Sequence, residues 1–217
     1  RIVPISLIGQ RYPEVITMLE ADLADTEGGS QHGRFVVAPF GRKVAADLSG
    51  LTQREVDLLS QVTDRPKPLR RVAVSSAAQR DLAALRKKGL VQLCGFTPSD
   101  ASHVLGLQAN WSREAALLAA RLALRFRDMR LGPDEKIQAF CREVWSETVR
   151  LSARAVANAA LGREDENNAL LDAVCRGVPV VGLANVRVSP VVPIVAVGGP
   201  ARVYYAEVAR RLDCEIV

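Results

Sequence analysis

The sequence predicts an α/β protein with its strands gathered near the two ends and a mostly helical middle. Three observations carry this. Residues 191–197 are nearly all β-branched and apolar, the pattern of a strand covered on both faces. Gly198-Gly199-Pro200 and an amphipathic stretch from Ala201 to Leu212 follow, giving the order strand, turn, helix. Between the ends, helix-start patterns recur: Thr52-x-x-Glu55, Ser76-x-x-Gln79, and Thr97-Pro98-x-Asp100.

Taken in order, Arg1-Ile-Val-Pro-Ile-Ser-Leu-Ile8 reads as a buried strand. Val15, Ile16, Met18 and Leu19 then recur at helical spacing, and Pro13 suits a first helical position. Residues 28–33 form a polar, glycine-rich loop. No Lys-Ser/Thr pair follows it, so it reads as a surface hairpin loop leading to a strand at 34–38 rather than as a phosphate cradle.

Residues 49–107 form a module. A helix opens at Thr52 with Val56, Leu58, Leu59 and Val62 inward, and Pro66 and Pro68 interrupt the chain. The second capping pattern, at Ser76, opens a helix with Leu82 and Leu85 inward and Arg86, Lys87 and Lys88 outward. Gly89 stops that helix, and residues 90–93 continue as a short strand. Thr97 is then an N-cap, Pro98 a first helical position, and Asp100 falls near the positive end of the helix that also carries His103. Beyond the module come two long helices, from Ser112 and from Pro133. The second carries an apolar stripe (Ile137, Phe140, Cys141, Val144, Trp145, Thr148, Ser152, Val156) and small residues Ser152, Ala155 and Ala159 that permit close backbone approach. A polar connection at 162–168, a helix at 170–176 and a strand at 178–183 precede the final strand–turn–helix. The expected divisions are 1–48, 49–107 and 108–217.

Composition narrows the function classes. At 48% apolar and 24% charged, the chain is an ordinary globular sequence. No apolar run reaches the roughly 18 residues of a membrane span, and no signal-peptide pattern opens it, so the cytoplasm is the expected compartment. The four cysteines, Cys94, Cys141, Cys175 and Cys214, are widely spaced and read as small buried apolar residues, with no metal-site spacing. A net charge of +5 suits phosphate-bearing ligands or nucleic acid, and an excess of this size more often marks a solvated surface. The chain opens and closes inside expected strands, which suggests a piece of a longer protein.

The strand–Gly-Gly–helix turn admits two readings. Glycines remove the Cβ that would block a ligand, and helix N–H groups favour anionic or polar atoms; the same turn also serves tight packing. Thr97 and Asp100 are likewise open to a substrate-side role or to capping alone.

Four strings in order, Arg1-Ile-Val-Pro-Ile-Ser-Leu, Arg11-Tyr-Pro-Glu-Val15, Gly95-Phe-Thr-Pro-Ser-Asp-Ala101 with Val104-Leu-Gly106, and Pro193-Ile-Val-Ala-Val-Gly-Gly199, resemble the hydantoinase/oxoprolinase family, hydantoinase A type. The resemblance implies the C-terminal portion of an actin-like, ribonuclease H-type ATPase fold, with residues 49–107 as a mostly helical, winged-helix-like insertion. It implies an ATP- and Mg2+-dependent hydrolase that opens hydantoin- or 5-oxoproline-type rings by phosphorylating a carbonyl oxygen. Gly198, Gly199, Pro200 and Ala201 would be the adenosine-binding element, and a hydantoinase B-type subunit a possible partner. The family's phosphate loop and Asp-Gly-Gly-Thr segment have no counterpart here, so catalytic and metal-binding residues are expected upstream and the isolated chain is expected to be inactive. Two other readings compete. One is a winged-helix regulator binding DNA through Arg80, Arg86, Lys87 and Lys88, which the missing wing hairpin disfavours; the other is a non-catalytic assembly subunit.

Overall fold

The computed structural model describes residues 2–40, 48–62, 65–128, 134–162, 168–198 and 201–217. Arg1, Pro133, most of the polar connection at 163–167, and two residues of the glycine turn, Gly199 and Pro200, fall outside the described residues. The chain is a mixed α/β protein that separates into two compact units, residues 1–138 and 139–217.

The first unit is built on a four-stranded mixed sheet of β1 (Ile2–Pro4), β2 (Phe35–Val37), β3 (Lys67–Pro68) and β4 (Gln92–Gly95), in the order β1-β4-β2-β3. β1 runs parallel to β4, with Val3 opposite Cys94; β2 is antiparallel to both β4 and β3. The period-2 alternation of β2 joins two cores. Phe35 and Val37 belong to the core under α1 (Ile5–Arg11), α2 (Glu14–Ala24) and α7 (Arg113–Asp128), whereas Val36 belongs to the core under α3 (Gln53–Gln61), α4 (Leu69–Val72) and α5 (Ser76–Lys87). α1 and α7 lie so close at Gly9 that a Cβ there would sit 2.4 Å from Ala115 Cβ, so the glycine is what permits the contact.

The opening strand is shorter than the apolar run suggests. It stops at Pro4, and Ile5 begins α1 because a buried carboxylate from α6 (Pro98–Val104) accepts the first helical N–H groups. The helix opening at Thr52 forms as expected: the Glu55 N–H donates to Thr52 Oγ1, and Glu55 Oε2 accepts the Thr52 N–H at 2.7 Å. In α5 the cap is Ser75 rather than Ser76, its hydroxyl accepting the Ala78 N–H at 3.1 Å, while the Gln79 side chain turns to the Ala73 carbonyl. The strand expected at 90–93 begins two residues later. Gly89 in the left-handed region lets the Leu90 N–H return to the Leu85 carbonyl, which ties Leu90 to the helix end.

The second unit contains most of α8 (Asp134–Leu161), with α9 (Ala169–Arg176) and α10 (Ala201–Arg211). Its core gathers Val149, Ala153 and Ala157 of α8 with Leu171, Val174, Tyr204, Val208 and Leu212. The small residues facing inward are therefore Ala153 and Ala157, while Ala155 and Ala159 face solvent, and Ser152 and Val156 are only half-buried.

Two expected strands do not form as such. Residues 178–183 hold a tight turn joined by one bridge, Val180 to Ala184; Pro179 lacks an N–H, and Val181 and Gly182 take positive φ. Residues 191–197, expected to be buried on both faces, are instead largely exposed: Val191, Val195 and Val197 are 101%, 70% and 86% accessible. The segment is extended, but on one edge only, where the Ile194 and Ala196 N–H groups donate to the Glu215 and Val217 carbonyls. Pro190 and Pro193 remove donors from the ladder, and no further strand of the described residues covers it.

Candidate functional site

Two places in the first unit and one in the second bear on function. The first is the joint around Asp100. β1 and β4 end side by side, and both chains turn there into helices, so two sets of unsatisfied helix N–H groups converge on one point. Asp100 fills it. Oδ1 accepts the Ser6 N–H at 2.6 Å; Oδ2 accepts the Ile5 N–H at 3.3 Å, the Thr97 N–H at 2.8 Å and the Thr97 hydroxyl at 2.8 Å. The residue is fully buried. Burial pushes its carboxyl above the ordinary range, and the hydrogen bonds from Ser6 and Thr97 pull the other way. The buried Ser6 hydroxyl makes no well-formed hydrogen bond, though it lies close enough to favour the ionised carboxylate.

Thr97 and Asp100 thus share one joint, and their polar atoms are directed at each other and at the backbone of α1. No path to solvent reaches the carboxylate, which leaves it a helix cap shared by two helices. His103 behind it is also buried, its ring bound to the Ser99 carbonyl, Asn110 and the Trp111 N–H, and stacked on Trp111 at 5.3 Å. Cys94 and Cys175 are buried free thiols raised by burial, and Cys141 is buried too; Cys214 is half-buried. None has the exposed, electropositive setting of a reactive thiol.

The second place is the turn at Gly198. Its φ is +115°, a region that favours glycine, and among the described residues, chain neighbours aside, nothing lies within 4 Å of where its Cβ would be. Ala201, three residues on, is buried at the start of α10, and its N–H donates to the Gly198 carbonyl at 3.1 Å. The turn offers bare backbone and open space, without a charged donor on either residue.

The third place could not be read from spacing. A cavity of about 220 Å³ lies between the β1–β4 edge, the loop at 28–34 and α7. Its walls are chiefly Ile2, Leu93, Leu122 and Phe126, with His32, Arg34 and Phe96 beside them. The His32 ring is fully engaged: Nδ1 accepts the Gly29 N–H at 2.7 Å and Nε2 lies 3.0 Å from Asp25. That hydrogen bond from His32 is the main reason the Asp25 carboxyl is held below its usual value. Arg125 is engaged as well, donating to the Leu23 and Asp25 carbonyls at the end of α2.

Within residues 49–107, Arg80, Arg86, Lys87 and Lys88 are all exposed, and Lys88 is ion-paired. It donates to Glu55 at 3.1 Å and to the Gly50 carbonyl, and so braces the start of α3. Among the described residues no group of three or more His, Cys, Asp or Glu side chains is placed to hold a metal ion, and no helix is long and apolar enough to cross a membrane. No protein-family model, no curated protein and no solved structure matches the chain.

Asp100→Asn keeps the shape but turns an amide donor toward N–H donors. It is expected to destabilise the first unit by about 2–4 kcal/mol, read as a lower denaturant midpoint at neutral pH. A loss within ~0.5 kcal/mol, the range of ordinary surface changes, would show that the joint does not depend on the carboxylate.

Proposed function

We propose that this chain is the C-terminal part of an ATP-dependent hydrolase of the hydantoinase/oxoprolinase type, which opens a cyclic amide ring after phosphorylation of its carbonyl oxygen. The observation that carries this reading is the order of the four matching strings. Two of them, at residues 2–7 and 95–101, meet at the Asp100 joint, which is compatible with this reading.

The two implied cofactors fit unequally. The open backbone at Gly198 suits the adenosine end of a nucleotide, which needs close approach more than charge. For Mg2+ the described residues offer no cluster of His, Cys, Asp or Glu, and in this reading the metal and phosphate ligands are expected upstream, where the resemblance puts the Asp-Gly-Gly-Thr segment. ATP would supply the phosphoryl group that turns a carbonyl oxygen into a leaving group. This chain's own contribution is limited to binding and orientation, and it is not expected to turn over substrate alone.

One observation favours a second reading, a nucleic-acid-binding module. α4 and α5 are joined by the short turn at 73–75, as in a helix-turn-helix, and α3 packs against α5. The outward face of α5 presents Ser76, Gln79, Arg80, Ala83, Arg86 and Lys87, with no acidic residue among them.

The ATP reading is tested by titrating nucleotide into the protein joined to its upstream segments, with Gly198→Arg as the comparison. A loss of affinity of about tenfold or more is expected; equal affinity overturns the assignment. The nucleic-acid reading is tested by fluorescence anisotropy of duplex DNA at low salt with the Arg80→Ala/Lys87→Ala double variant. It requires binding that weakens with salt and is lost in the variant, and absence of binding at low salt removes it.

A further inference from the structure

The 220 Å³ cavity in the first unit combines an apolar lining with basic side chains. Its lining is apolar on the sheet and helix sides, and among the described residues no aspartate or glutamate contributes to it. Among the described residues two basic groups line it, His32, which is engaged by Asp25 and Gly29, and Arg34. Among the described residues the Arg34 guanidinium has no ion pair or hydrogen bond.

Arg34 is nevertheless firmly placed. Its N–H donates to the Gln31 carbonyl and its carbonyl accepts the Leu69 N–H at 2.8 Å, fixing the backbone at the start of β2. Its stem crosses the end of β4, with Cγ 3.8 Å from where a Gly95 Cβ would stand; Ile2 lies at 3.7 Å from the same point. The missing side chain at Gly95 therefore leaves a notch between Arg34 and the apolar wall at Ile2. An exposed guanidinium on a backbone-anchored residue, unpaired among the described residues and beside an apolar hollow of this size, matches a ligand with one anionic end and a compact apolar body. A planar carboxylate meets a guanidinium through two parallel N–H···O bonds. The volume suits a small organic acid and is below the usual range for drug-sized or nucleotide ligands.

We infer that this cavity is a binding site for a small monocarboxylate with a compact apolar body, its carboxylate on Arg34 and its body against Ile2, Leu122 and Phe126. The site stands on the geometry of the first unit and does not depend on the ATP reading.

Phenylacetate and its neutral isostere phenylacetamide are the probes, titrated by isothermal calorimetry and by 15N-resolved NMR. Phenylacetate is expected to bind saturably at millimolar concentration or below, with shifts confined to the loop at 28–34, the end of β4 and the second half of α7. Phenylacetamide, and phenylacetate with Arg34→Gln, are expected to bind about tenfold more weakly. Ala123→Phe, which fills the cavity from α7, is expected to abolish binding of both. Arg34→Gln removes only an exposed, unpaired group, so its unchanged melting temperature checks that the fold is intact. Equal affinity for acid and amide, no effect of Arg34→Gln, shifts elsewhere on the protein, or no saturable binding in the millimolar range would each overturn the proposal.

Discussion

The fully buried carboxylate of Asp100 must find donors or be expelled, and the first unit is arranged around supplying them. β1 and β4 run parallel, so their C-terminal ends lie together and both chains leave the sheet at the same edge. Each then begins a helix, which creates orphan N–H groups in a place water does not enter. One carboxylate accepts from Ile5, Ser6 and Thr97 and so answers both needs at once. The same joint sets where α1 starts, and hence where Gly9 meets Ala115 of α7 and where the cavity wall at Ile2 stands.

What was legible in the sequence follows from how local each cause is. Helix starts at Thr52 and Thr97, the left-handed stop at Gly89 and the long helices α7 and α8 are fixed by residues a few positions apart, and their patterns show directly. The opening run misled because its apolar character describes burial and not conformation. A partner 94 or more positions away decides that Ile5 is helical, and no window around Ile5 contains that partner. Residues 191–197 misled in the opposite sense. Their β-branched composition promises a covered strand, but burial needs neighbours on both edges, and the described chain supplies one.

The candidate sites divide along the same line. Thr97 and Asp100 were found by their capping spacing, and the structure places them where that chemistry alone accounts for their contacts. Gly198 was found as a glycine before a helix, and the open space beside it is a property the sequence could only suggest. The cavity at Arg34 was invisible, because its lining comes from β1, the 28–34 loop, β4 and α7, with no two of its key residues at a diagnostic spacing. The glycine-rich loop at 28–33 carries no Lys-Ser/Thr pair and reads as a surface loop. What it contributes instead is His32, which closes one side of the cavity while engaged with Asp25.

The central claim is that the Asp100 joint is a buried structural clasp and not a solvent-accessible reaction site. Native-state hydrogen exchange at the Ile5, Ser6 and Thr97 amides tests it most directly. The account predicts that all three exchange only through large-scale opening of the first unit, with the same protection as the paired amides of β4. Exchange of Ile5 and Ser6 at the rate of an exposed loop, while β4 stays protected, would contradict it.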